Sequence, residues 1–174
     1  MHIEGVDEQD NTVIEAALGR LVYRAAMLEA TIEVTGYGLA GEEPEAVALK
    51  GLTVGKLADK CRKYARDAPY LNTPMRKALT AILDDVKAAM DLRNSYVHAA
   101  WSAQQDGSLV ALNSKPAGYR MSALTVSSLN EVIVQLDSIA DRMHLWTLRA
   151  MELKQPGVIS RLPGMEDTAP PYPE

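Results

Sequence analysis

The sequence predicts an all-α protein, an antiparallel bundle of four main helices with a small β-hairpin between the third and the fourth. Four stretches repeat apolar residues at spacings of three and four, which is the period of one helix face. With 174 residues and 47% apolar content, the chain has the size of one domain and can form a core. Phenylalanine is absent and aromatic residues make up only 5%, so that core is aliphatic, which favours helices over sheets.

The first two helices are indicated by their apolar stripes and by the residues that end them. The first is predicted to begin near Asn11 or Thr12 and to end among the glycines and prolines of residues 36–44. Its stripe consists of Ile14, Leu18, Leu21, Ala25, Leu28 and Ile32. The second helix is predicted to follow an N-cap at Thr53 and to end at Pro69. Its buried face is expected to hold Val54, Leu57, Cys61 and Tyr64.

The third helix has the clearest start signal, a hydroxyl N-cap at Thr73 followed by Pro74 at the first helical position. Its stripe is predicted to run through Met75, Leu79, Ile82, Val86, Met90, Arg93, Val97 and Trp101. Arg93 is an anomaly in that stripe, because a charged side chain stands among apolar ones.

The pattern changes after the third helix and becomes helical again near Thr125. Residues 104–107 and 115–118 are predicted to be turns, and residues 109–112 and 119–124 to be the two strands of a hairpin. The fourth helix follows Thr125, with a stripe of Leu129, Val132, Leu136, Ile139, Met143, Trp146 and Ala150. Residues 1–154 therefore form the predicted helical domain, and the proline-rich residues 155–174 are predicted to be an extended or disordered tail.

Composition limits the functional classes. No run of about 18 apolar residues occurs and the acidic N-terminus has no apolar stretch, so we expect no membrane span or signal peptide and a cytoplasmic location. A single cysteine, Cys61, allows no internal disulfide; it is either a small core residue or a thiol activated by its basic neighbours. The histidines have no metal-ligand spacing, so we expect no metal site and no cofactor.

Charge is unevenly distributed along the chain. The net charge of −5 argues against indiscriminate nucleic-acid binding. Residues 56–77 are nevertheless basic, and they form either a solvated helix face or a surface for a phosphate chain. On the second interpretation, Lys60 and Lys63 are candidate substrate-binding residues.

Side chains that could bind a ligand or transfer a proton are concentrated in residues 91–101, where Arg93, Asn94 and His98 share one broad helix face. At 100° per residue, Asn94 and His98 are about 40° apart, and the long Arg93 side chain can reach them. Arginine binds phosphate bidentately, and histidine gives and takes protons near neutral pH. The alternative is structural, with Arg93 paired to an acid on a neighbouring helix and Asn94 and His98 as satisfied polar groups.

Two aromatic residues flank this cluster, Tyr96 and Trp101. They are candidate substrate-binding residues that could stack on bases, or they are packing residues of the helical core.

The segment Arg93-Asn94-Ser95-Tyr96-Val97-His98 resembles the Arg-x4-6-His motif of the HEPN superfamily, in the form Arg-Asn, three residues, His. The resemblance implies a helical bundle that dimerises and places two copies of the motif in one cleft. It also implies a metal-independent endoribonuclease acting on single-stranded RNA, of the kind found in toxin–antitoxin, phage-defence and RNA-processing systems. By position, His98 would be the general acid–base residue, Arg93 would stabilise the phosphoryl oxygens, and Asn94 would orient the histidine or the phosphate.

The resemblance implies a homodimer that binds RNA and that has an antitoxin or another protein as a partner. A dimer seam would also explain Arg93 in the apolar stripe. The sequence departs from the family pattern in two places. Ala100 stands where HEPN toxins paired with minimal nucleotidyltransferases often carry a tyrosine. The predicted hairpin is an insertion that the simplest HEPN bundle does not need. Two other functions stay open: a non-catalytic HEPN-like module that binds nucleotide, RNA or protein, and a structural helical subunit of an assembly.

Overall fold

The computed structural model describes residues 8–41, 43–104, 108–115 and 118–158, and these contain five helices and three strands. The helices are α1 (Glu8–Leu39), α2 (Glu43–Val47), α3 (Val54–Asp67), α4 (Thr73–Val97) and α5 (Val126–Lys154). The strands are β1 (Ala100–Ala103), β2 (Leu109–Lys115) and β3 (Gly118–Ala123). The predicted fold class is confirmed: four main helices carry the structure, and the β-hairpin lies between the third and the fourth.

The chain divides into two compact units, each with its own buried apolar side chains. The first comprises Met1–Met27 and Ala88–Ser138, and the second comprises Leu28–Lys87 and Ile139–Glu174. Buried side chains of the first unit include Leu18, Leu21, Tyr96, Leu109, Leu124, Leu129 and Leu136. Those of the second include Leu28, Ile32, Leu57, Cys61, Leu79, Leu83, Met143 and Trp146.

The apolar stripes predicted for the first and fourth main helices are buried at every position. In α4 the stripe is buried from Met75 to Val86, and Met90, Arg93 and Val97 are half-buried. The spacing of the apolar residues therefore identified the side of each long helix that faces the core, because burial of one face is what stabilises such helices.

Helix starts agree less closely with prediction. α1 begins at Glu8, before the predicted Asn11 or Thr12. Thr53 stands at the N-cap of α3 but its side chain donates and accepts no capping bond. The N-cap of α4 is Asn72, not Thr73, because the Asn72 Oδ1 accepts the Met75 N–H at 2.9 Å.

The fourth main helix, α5, starts where predicted. Thr125 Oγ1 accepts the Ser128 N–H at 3.0 Å, and Ser128 Oγ accepts the Thr125 N–H at 3.1 Å. These reciprocal bonds satisfy two backbone donors at the helix start, as a capping box does.

The predicted hairpin is part of a three-stranded antiparallel sheet with the order β1-β2-β3. Ala100 lies opposite Leu112 and Ala103 opposite Leu109, so the chain forms a strand directly after α4. The expectation that Trp101 continues the helical stripe is therefore wrong: α4 ends at Val97, and Trp101 pairs with Ala111 in the sheet. The spacing of the apolar residues fits a helix equally well at this point, and the backbone hydrogen bonds to β2 decide for a strand.

Parts of two predicted turns and most of the predicted tail lie outside the described residues, at 105–107, 116–117 and 159–174. Within the described helices, none has both the length and the hydropathy that crossing a membrane requires.

Candidate functional site

The candidate site lies at the carboxyl end of α4, where the helix passes into β1. Arg93 and Asn94 belong to the last turns of the helix, and His98 is the first residue after it. The His98 N–H donates to the Asn94 carbonyl oxygen at 3.1 Å, which is the last helical hydrogen bond. The motif therefore lies where the regular helix ends.

Side chains from the sheet hold this helix end in place. The final carbonyl groups of a helix have no partner within it and must be satisfied by other groups. Here the Asn113 Nδ2 donates to the Ser95 carbonyl oxygen at 2.7 Å, and the Trp101 Nε1 donates to the Tyr96 carbonyl oxygen at 3.0 Å. Strands β2 and β1 thus fix the backbone that carries the candidate residues.

Arg93 has an unusual environment for an arginine in an apolar stripe. Its Nη1 donates to Asn94 Oδ1 at 2.8 Å, whereas its Nε is buried without a hydrogen-bond partner. No ion pair of the described residues includes Arg93. The structural alternative, in which an acid on a neighbouring helix neutralises Arg93, therefore finds no support among the described side chains.

His98 and Asn94 are both exposed to solvent. An exposed imidazole can exchange protons with water and can contact a ligand without local unfolding. The site thus contains three groups. The Arg93 guanidinium has donors that are not all used, the Asn94 amide orients it, and the solvent-accessible His98 imidazole lies four residues after Asn94.

The two aromatic candidates differ in their accessibility. Tyr96 is only 6% exposed, which favours the packing interpretation for its ring. Trp101 is half-buried, and its indole N–H is engaged by the Tyr96 carbonyl oxygen. Through this hydrogen bond Trp101 links β1 to the end of α4.

The two lysine candidates, Lys60 and Lys63, belong to the second unit, whereas Arg93, Asn94 and His98 belong to the first. Both lysines line a cavity on α3 together with Leu52, Lys56 and Asp59. Sequence reasoning did not single out Lys56 or Asn113. The signal for Lys56 was its helical spacing of four and seven from the other two lysines; Asn113 had no sequence signal.

Cys61 is a core residue and not an activated thiol. It is fully buried, and its Sγ donates to the Ile32 carbonyl oxygen at 3.6 Å. Burial raises the pKa of Cys61 to about 12, because the thiolate loses its hydration, and the nearby Arg62 charge offsets only part of this effect.

Comparison with known proteins adds no family assignment. No protein-family model matches the chain, and no curated protein and no solved structure matches it. Within the described residues, no three histidine, cysteine or acidic side chains cluster as ligands for a metal ion. The resemblance of residues 93–98 to the HEPN motif therefore stays a prediction.

Proposed function

We propose that this protein is a HEPN-like, metal-independent endoribonuclease that cleaves single-stranded RNA as a homodimer, in a toxin–antitoxin or phage-defence setting. The observation that carries the proposal is the environment of Arg93. Its guanidinium has a buried Nε without a partner, no ion pair among the described residues, and an exposed histidine five residues further along the chain. Leaving such a donor unpaired costs about 1–3 kcal/mol, a cost that no structural contact of the described residues offsets.

The chemistry follows from these two groups. The His98 imidazole accepts the proton of a ribose 2′-hydroxyl, and the 2′-oxygen attacks the adjacent phosphorus. The Arg93 guanidinium donates to the non-bridging phosphoryl oxygens, where negative charge increases in the transition state. The bond to the 5′-oxygen breaks, and that oxygen takes up a proton. The products are a 2′,3′-cyclic phosphate and a 5′-hydroxyl end.

A second subunit suits this reaction because one proton is removed while another is delivered. A single imidazole cannot be base and acid in the same step, whereas two copies of His98 across a dimer can divide the roles. Exposed apolar side chains in the unit that contains the motif favour a dimer. In the first unit Val13, Tyr23 and Met27 are 47%, 59% and 47% exposed on α1, and Leu92 beside Arg93 is 38% exposed.

The test is cleavage of a 5′-labelled single-stranded RNA by the purified full chain in EDTA. We expect His98→Ala to reduce the single-turnover rate by about 100-fold or more, the contribution of a positioned general acid or base. His144→Ala is the matched control, since His144 is also an exposed histidine, although it lies within α5. Equal cleavage by wild type and His98→Ala would remove His98 from the mechanism. Binding of the RNA without turnover would favour the non-catalytic module.

A further inference from the structure

Helix α3 carries three lysines whose side chains line one cavity. Lys56, Lys60 and Lys63 follow the spacing four and three, so at 100° per residue they lie within about 60° of one another on the helix. The cavity has a volume of about 330 Å³, and Leu52 and Asp59 complete its lining. This is at the lower end of the size range of small-molecule sites.

The positive charges of this cavity are not neutralised. Its one acidic residue, Asp59, is 3.1 Å from Arg62, which also contacts Asp84 at 2.7 Å. None of the three lysines forms an ion pair with a described residue. The Lys60 Nζ instead lies 5.9 Å from the centre of the Tyr64 ring.

This charge distribution is unfavourable for the helix alone. Like charges four residues apart repel, and Lys56 lies in the first turn of α3, where the helix dipole disfavours a cation. The first turn contains no acidic residue that would compensate. In a chain with a net charge of −5, three cavity-lining lysines that form no ion pair with a described residue mark a place that a multiply charged anion would stabilise.

We infer that this cavity binds a compact polyphosphate, such as the phosphate chain of a nucleoside di- or triphosphate. Lysine ammonium groups bind phosphate as point charges, and a phosphate chain supplies several negative charges within the available volume. Lys56 and Lys63 are only about 10.5 Å apart along the helix axis. Since the acidic Asp59 lies among the lysines in the lining, the site suits a compact ligand better than a long RNA strand.

This inference is independent of the proposed ribonuclease activity, because it concerns residues of the other unit. It also gives Lys60 and Lys63 a different ligand from the RNA substrate predicted from the sequence. A protein that cleaves no RNA can still bind a polyphosphate here, and the reverse also holds.

The experiment is titration calorimetry of the full chain with sodium tripolyphosphate at low ionic strength. The test variant is Lys56→Gln/Lys63→Gln, which leaves the Lys60 contact with Tyr64 in place. The control is Lys77→Gln/Lys87→Gln, which makes the same charge change at two exposed lysines of α4. We expect the test pair to raise the dissociation constant at least tenfold and the control pair to change it less than twofold.

Two further titrations identify the source of the phosphate chain. Adenosine triphosphate binding more tightly than tripolyphosphate would show that a nucleoside contacts Leu52 and the lysine methylenes, and equal affinity would assign the site to the phosphates alone. No tripolyphosphate binding, or equal weakening by test and control pairs, would overturn the inference. It would also be overturned if a single-stranded RNA required Lys56 and Lys63 while tripolyphosphate did not bind.

Discussion

Replacing Arg93 with methionine should stabilise the protein, because the guanidinium contains a buried donor without an acceptor. The Arg93 Nε is buried and unpartnered, and an unsatisfied buried donor costs about 1–3 kcal/mol. Methionine keeps an unbranched, flexible side chain in the half-buried site and has no donor to satisfy. The substitution loses the exposed hydrogen bond to Asn94, which contributes about 0.5–1 kcal/mol. The expected net gain is about 1 kcal/mol.

Arg76→Met is the matched control. Arg76 is also a half-buried arginine of α4, but its Nε donates to the Ala65 carbonyl oxygen at 3.0 Å and its Nη2 to the Ala68 carbonyl oxygen at 2.8 Å. Removing two charged hydrogen bonds to backbone should cost roughly 2–4 kcal/mol. The two substitutions make the same chemical change on one helix and are expected to alter stability in opposite directions.

The measurement is thermal and urea unfolding, at a protein concentration low enough to keep the subunit monomeric. For a chain of this length, a gain of about 1 kcal/mol raises the melting temperature by roughly 2–4 °C. If Arg93→Met destabilised the protein as much as Arg76→Met, the Arg93 guanidinium would have a satisfied structural role. The reasoning that reserves it for a ligand would then be refuted.

Three further predictions concern capping, burial and the helix end. Asn72→Ala should cost about 1 kcal/mol in urea unfolding and Thr73→Ala almost nothing, since only the Asn72 side chain caps α4; equal losses would contradict this. Cys61 should resist iodoacetamide in the folded protein. Because its folded pKa of about 12 exceeds the reference value of 9.0, its contribution to stability is present below pH 9 and is lost as the pH rises towards 12. At pH 11 wild type should have lost roughly 2–3 kcal/mol more than Cys61→Ala, relative to pH 8; parallel pH curves would rule this out. Asn113→Ala should cost about 1 kcal/mol and speed hydrogen exchange of the amides near His98, because the Ser95 carbonyl loses its donor; unchanged exchange there would disprove the anchoring role.

The helices were predictable because their signal is local and repeated. The stripes of α1 and α5 combine many positions at the helical period, so a single exception does not change the interpretation. The residue at which a helix begins depends on a single hydrogen bond, the one made by the N-cap side chain. Asn72 and Thr73 are both good N-cap residues, and only the geometry of the Asn72 amide decides between them.

Strand β1 was not predictable from the sequence around it. Ala100 and Trp101 fit the helical spacing of α4, and they become a strand only because Leu112 and Ala111 of β2 lie opposite them. Pairing of this kind is a long-range property that a local pattern does not contain.

The candidate site was also predictable only where its residues lie close in sequence. Arg93, Asn94 and His98 lie close in sequence, so one motif found all three. Asn113 acts through a contact between residues 18 positions apart, to a backbone carbonyl that any residue would provide. That Arg93 forms no ion pair with a described residue is likewise a fact of packing and could not be derived from spacing.

The most direct test of the central claim is a double-mutant cycle in the RNA cleavage assay. Arg93→Ala, His98→Ala and the double variant are compared with wild type by single-turnover rates on one RNA in EDTA. If both residues act on one phosphodiester in one step, the double variant should be little slower than the slower single variant, because residues that act as a unit are strongly non-additive. Wild-type rates in either single variant, or losses that simply multiply, would contradict the account.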